Sequence, residues 1–187
     1  MARYDVPKAA PAPLRLVQLL VNTRDHEHGR EWLPDPQALA DWVAEHQLAS
    51  GVQASDADLR RALELREALR SLLRANNGRP AEPDAAATFN AVAQAAGLTL
   101  ELSAEGVVAI APQGGGLDGA LGRIVAVAFG AMLDGSWTRL KACRRCGWGF
   151  YDYSKNRSAG WCSMALCGNR VKTRAYRSRH AQRGRPA

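Results

Sequence analysis

Cys143-Arg-Arg-Cys146 and, after fifteen intervening residues, Cys162-Ser-Met-Ala-Leu-Cys167-Gly-Asn-Arg170 form the stretch that decides the fold. Two cysteines separated by two residues can turn both sulfurs toward one ion from a tight knuckle. A second pair on a returning chain completes a tetrahedron of thiolates. All four cysteines of the chain lie in this segment, and no apolar secretory core precedes it, so metal ligation is favoured over disulfides. Four sulfur donors select zinc ahead of iron. A site closed by four protein ligands leaves no open position for water, which points to one structural Zn2+ per chain held by Cys143, Cys146, Cys162 and Cys167.

Between the pairs, Gly147-Trp-Gly-Phe-Tyr-Asp-Tyr153 alternates aromatic with small or polar residues as a short hairpin does, and Ser154 to Ser158 supplies its turn. Trp148 and Phe150 read as the core of so small a module; stacking on unpaired bases is the alternative use of the same side chains. After Cys167 come good helix formers, with no proline before Pro186, so the last ligand is expected near a helix N-terminus. Knuckle, hairpin and ligand-bearing helix, in that order, make a treble-clef-like zinc finger. At 100° per residue Arg170, Arg174 and Arg177 share one face of that helix, with Lys172 and Arg179 opposite.

Charge separates this segment from the rest of the chain. The 187 residues (20.2 kDa, 47% hydrophobic) carry a net +7, yet residues 139–187 hold 13 Lys+Arg against one acidic residue, while residues 1–138 hold 12 against 17. An excess this concentrated calls for an anionic partner. Arg170, Lys172, Arg174, Arg177 and Arg179 are therefore the candidate nucleic-acid contacts, suited to phosphate and guanine edges of double-stranded DNA. Arg170, three residues past the last ligand, either makes the best-defined contact or bonds back to Asp152 and the hairpin carbonyls.

Upstream the pattern is helical. Residues 1–13, rich in Pro and Ala, read as a disordered leader. Leu14 to Val21 supports a short buried helix. Leu39, Trp42, Val43 and His46 mark a second after Pro34-Asp-Pro36. Ser55 with Asp58 forms a capping-box pattern ahead of a leucine stripe that runs to Asn76-Asn-Gly78, and Arg66, Arg70 and Arg74 are expected on its solvated face. A fourth helix spans about 84–96. Leu98–Leu102 and Val107–Ile110 flank Ser-Ala-Glu-Gly as a β-hairpin. Leu117 to Leu133 is apolar nearly all round, so it is either the central helix of a bundle or the face of a homodimer.

Other chemistry is sparse. Gly114-Gly-Gly116 lacks the Lys-Ser/Thr of a phosphate-binding loop, and neither a nucleophile elbow nor a catalytically spaced His/Asp pair is present, so the chain does not read as an enzyme. His26-Glu-His28 can bind metal by residue type but lies in a polar loop. Asn22, Thr23 and Arg24, at the end of the first helix, are candidates for a small-molecule effector pocket or, alternatively, for capping that helix. The longest apolar run, Ile124 to Leu133, is too short to cross a bilayer, so no membrane partner is expected and the cytoplasm is the default location.

The segment Cys162-Ser-Met164, Cys167-Gly-Asn-Arg170 and Lys172, with Trp148, Phe150, Asp152 and Ser154 upstream, resembles the CGNR zinc finger. Residues of about 14–133 are similar to the ABATE region that precedes that finger, through Leu16 to Asp25 with its Asn22-Thr23 ending, and through Leu39 and Trp42. The resemblance implies a bacterial transcription regulator. One departure is that Ser158-Ala-Gly160, not arginines, precedes Trp161, so nucleic-acid contact is assigned to the helix. The expected organisation is mainly α with a small β-hairpin: leader 1–13, helical ABATE-like domain 14–136 for sensing or dimerisation, CGNR finger 137–182 and tail 183–187. The expected function is zinc-dependent DNA binding by the finger. The alternatives are an RNA- or ribosome-associated zinc module and an enzyme with a pocket in the N-terminal domain. Chelation is expected to unfold the finger and leave the helical domain folded.

Overall fold

The structure, a computed structural model, describes residues 8–171 and residue 173. Its elements run α1 (Arg15–Val21), β1 (Arg24–Asp25), β2 (Arg30–Glu31), α2 (Pro36–Glu45), α3 (Asp56–Ala75), α4 (Ala85–Ala95), β3 (Leu98–Leu102), β4 (Val108–Pro112), α5 (Gly116–Leu133), β5 (Leu140–Ala142) and β6 (Gly149–Tyr151). The strands form three antiparallel pairs, β1 with β2, β3 with β4 and β5 with β6.

The helix α3 starts where the sequence places it. Ser55 Oγ accepts from the Asp58 amide at 3.2 Å, and the Asp58 carboxylate accepts from the Ser55 amide at 3.0 Å. Ala62, Leu65, Leu69 and Leu73 then fall on one face and are buried, packing with Val17, Leu20, Leu39, Val43, Leu121 and Ile124 in one continuous core. Nine of these are Val, Leu or Ile, each contributing about 1.5–3 kcal/mol on burial, and such packing, more than propensity, holds the helices in place.

The helix α5 packs against α1, α4 and β4. Leu121, Ile124, Val125 and Ala128 are fully buried, whereas Phe129 and Leu133 face outward. Its 18 residues, of mean hydropathy 1.5, are long and apolar enough to cross a membrane by length and composition, but half of them are buried inside the protein, as a core helix requires. The glycine at 122 is needed: a Cβ there would lie 2.4 Å from the Ala96 Cβ and 3.0 Å from that of Pro112, where α5 passes over α4 and β4.

Two expectations change. Arg66 and Arg70 are not on a solvated face; both are buried, Arg70 completely. They flank the leucine stripe one position on, and a flank becomes interior when a second layer packs against it. Residues 8–13 likewise do not behave as a frayed leader. The Tyr151 amide donates to the Lys8 carbonyl at 2.9 Å, Lys8 Nζ to the Trp161 carbonyl at 2.8 Å, and the Ala10 amide to Gln18 Oε1 at 2.7 Å. Residues 1–7 lie outside the described residues.

Candidate metal centre and its seam with the helical domain

Antiparallel β5 and β6 present the knuckle at their joining turn. The Cys143 amide donates to the Trp148 carbonyl and the Gly147 amide to the Cys143 carbonyl, each at 2.9 Å. Closing so tight a turn puts Gly147 at φ +72°, a conformation other residues adopt at a cost. The second pair comes from the returning chain: Ser163 caps a wide helical turn, Met164–Gly168, with its side chain, and Cys167 sits at the end of that turn. Residues 169–171 continue as helix.

All four cysteines are buried, and their sulfurs lie within 4.8 Å of one another. Cys146–Cys162 measures 3.7 Å, Cys162–Cys167 3.6 Å and Cys167–Cys146 3.6 Å. Zn–S bonds of about 2.3 Å in a tetrahedron require sulfurs about 3.8 Å apart, whereas a disulfide requires about 2.05 Å. The thiols also hold one another's protons unequally. Hydrogen bonds from Cys146 and Cys162 drive Cys143 far down, and the bond to Cys143 pushes Cys146 up to about 12 and Cys162 higher still. Crowded and buried, these sulfurs oppose one another's ionisation; a divalent cation makes four thiolates compatible with burial. Cys143, Cys146, Cys162 and Cys167 thus fit one structural Zn2+, with all four coordination positions filled by the protein.

Around the centre, Trp148 and Phe150 are buried with the cysteines, and Trp32 and Trp161 pack against them. This is the core reading of the aromatics; Phe150 has no exposed surface for a base to stack on. Asp152 does not meet Arg170. It is fully buried, accepts from Lys141 Nζ at 2.8 Å, and also accepts from the Ser154 and Ala159 amides. Burial opposes its charge, but the bonds from Lys141 and Ser154 outweigh that and bring its pKa down to about 2. A lowered pKa means that this stabilisation is complete above the ordinary carboxylate range and is lost as pH falls through about 2. Replacing Asp152 with Asn keeps the shape but leaves the Lys141 ammonium buried without its counter-charge. The expected cost is about 3–5 kcal/mol at neutral pH, read as a lower thermal midpoint with four cysteines still metal-competent.

The finger is sewn to the helical domain by side chains that read as surface or cap in the sequence. Asn22 brackets Gly149, donating to its carbonyl at 3.0 Å and accepting from its amide at 2.7 Å; Gln18 donates to the same carbonyl at 3.0 Å. Arg70 reaches from α3 to the Gly147 carbonyl at 2.8 Å and to the Val21 carbonyl at 2.5 Å, with Glu67 at 2.9 Å. Asn77 donates to the Ala142 and Gly160 carbonyls, and Asn76 to those of Trp137 and Leu140. No buried side-chain nitrogen or oxygen among the described residues lacks a partner.

The candidate pocket residues are committed elsewhere. Asn22 serves the seam, Thr23 donates to the Leu20 carbonyl and accepts from Arg66, and Arg24 lies 3.7 Å from Glu31. In the His26-Glu-His28 loop, His28 Nδ1 is 2.7 Å from the Asp25 carboxylate, and Glu27 pairs with Arg145 at 2.6 Å and with Arg170 at 3.0 Å. Arg170 is 60% exposed. Lys172, Arg174, Arg177 and Arg179 lie outside the described residues.

The chain thus joins a helical domain to a four-cysteine zinc finger whose first strands share its core. Within it, residues 14–136 match the ABATE family, described as a putative stress-induced transcription regulator, and residues 139–180 match the CGNR zinc finger. The chain belongs to the ABATE family, with a CGNR finger following the ABATE domain. No curated protein matches it.

Proposed function

We propose that this protein is a zinc-dependent DNA-binding transcription regulator that acts by occupancy and not by catalysis, in the cytoplasm. The observation that carries the reading is the union of a closed tetrathiolate centre with a segment of 13 Lys+Arg against one acid, so that the metal anchors the chain where its most basic stretch begins. Arg170, exposed and steered by Glu27, is the first cation after the last ligand, and Lys172, Arg174, Arg177 and Arg179 follow it in the sequence. The helical domain is the sensing or dimerising part. Exposed Leu100, Leu102 and Leu133 are the apolar surface that favours a second copy, and a small-molecule effector is its other candidate partner.

The test is binding of zinc-loaded protein to duplex and single-stranded DNA across a salt series. Five or six cations meeting phosphates give a slope of log affinity on log salt of roughly −5 for the duplex. Preference for single strands, or affinity that barely changes with salt, overturns the reading.

A further inference from the structure

Beside the knuckle, at the seam, lies a cavity of about 290 Å³ whose wall includes Arg74 and Arg79 of the helical domain, Arg144 and Arg145 of the finger, Glu27 and the backs of Cys143 and Cys146. Two of the guanidinium groups are oriented by backbone: Arg144 Nε donates to the Asn77 carbonyl at 3.0 Å, and Arg79 donates to the Arg144 carbonyl at 3.1 Å. Among the described residues the Arg74 guanidinium has no hydrogen bond and no carboxylate at ion-pair distance. Glu27 is the wall's one carboxylate and is already shared by Arg145 and Arg170. A zinc tetrathiolate carries a formal charge of about −2. Four arginines, one carboxylate and that centre still leave the cavity positive. His26, also on the wall, has its pKa lowered first by burial and then by Arg70, as expected beside cations.

We infer that this cavity binds a phosphoryl oxyanion, either a phosphodiester of a DNA backbone or free phosphate. Guanidinium groups arriving from different directions suit a tetrahedral oxyanion, which offers acceptors on every side, better than a planar carboxylate. The volume, about that of ten waters, admits a phosphate with its hydration or with part of a sugar at the mouth. The backbone is the favoured source, because the residual charge matches a singly charged diester. The Arg170–Glu27–Arg145 chain also makes the cavity continuous with the finger helix. That choice of source rests on the DNA-binding reading; the oxyanion site does not. The helical domain then grips DNA directly through Arg74 and Arg79.

The full-length zinc-loaded protein and the variant Arg74→Gln/Arg79→Gln are compared for duplex affinity over a salt series, and for thermal midpoint in inorganic phosphate against chloride at equal ionic strength. With the backbone as ligand, the variant keeps its zinc and its midpoint in chloride. It loses about tenfold or more in affinity at low salt, and its salt slope is shallower by roughly two units. Unchanged affinity and slope show that the cavity does not hold the backbone. If the wild type binds no duplex, the proposed function fails, and the phosphate arm alone decides the site. A midpoint raised by phosphate in the wild type but not in the variant keeps an oxyanion site for free phosphate; no rise in the wild type overturns it. Should the double variant lose stability, Arg74→Gln alone, which breaks no hydrogen bond or ion pair among the described residues, decides between these outcomes with about half the slope change.

Discussion

Chelation of zinc is expected to unfold the finger outright and, in the same step, to weaken the helical domain by several kcal/mol. The first part follows from binding energies of about 10–16 kcal/mol for structural zinc, far beyond what the small aromatic cluster around the cysteines supplies. The second follows from the seam. Leu140, Ala142 and Tyr151 belong to the same hydrophobic core as α1, α3 and α5. Gln18, Asn22, Arg70, Asn76 and Asn77 all donate to finger or linker carbonyls. Each buried polar group that loses its partner costs about 1–3 kcal/mol. The sequence-based expectation of a helical domain left intact by chelation is therefore replaced by one of coupled loss. Amide hydrogen exchange with and without a chelator is the measurement. Faster exchange in α1 and α3 upon zinc removal is the expected result, and unchanged protection in both helices would refute the coupling.

Replacing Arg70 with Met is expected to be the most damaging single change outside the ligands. Its guanidinium is completely buried and satisfies Glu67, Gly147 and Val21 together. Burial lowers the arginine's pKa and Glu67 raises it again, which is the balance of a charge retained only because it is paired. Met fills most of the space but leaves two carbonyls without donors and Glu67 without its closest cation. A cost of about 3–5 kcal/mol follows, or roughly 6–20 °C in thermal midpoint for a protein of this size. Arg74→Met, one turn further along the same helix, is the control and is expected to change stability by at most about 0.5 kcal/mol. A midpoint for Arg70→Met within about 2 °C of wild type, less than the shift of a 1 kcal/mol change, would remove Arg70 from the account.

The contrast between Arg70 and Arg74 shows where the sequence was legible. The capping box at Ser55, the leucine stripe, the hairpin across residues 98–112 and the four ligands all rest on spacings of a few residues, and local spacing is what a sequence displays directly. Arg66, Arg70 and Arg74 look alike at that range. What divides them is what each meets: Arg66 bonds Thr23 and Glu31, Arg70 the carbonyl of Gly147, 77 positions away, and Arg74 faces an open cavity. Asn22, 127 positions from Gly149, resembled an ordinary helix cap for the same reason. The metal site was legible because cysteine ligation is chemically distinctive; the seam was not, because its finger partners are backbone carbonyls, which every residue offers alike.

The bonds from Lys8 to the finger have a consequence in time. The Lys8 carbonyl waits for the amide of Tyr151, and Gln18 for Gly149, 131 positions away. A chain made from its N-terminus exposes these waiting groups throughout synthesis of the helical layer, since their partners leave the ribosome only after it. Late contacts of this reach slow folding and leave α1 incompletely covered until the finger closes over it. Metal supply during translation thus sets how long the newborn chain remains vulnerable to aggregation and proteolysis, and a cell short of zinc would accumulate less of this protein before any question of its activity arose.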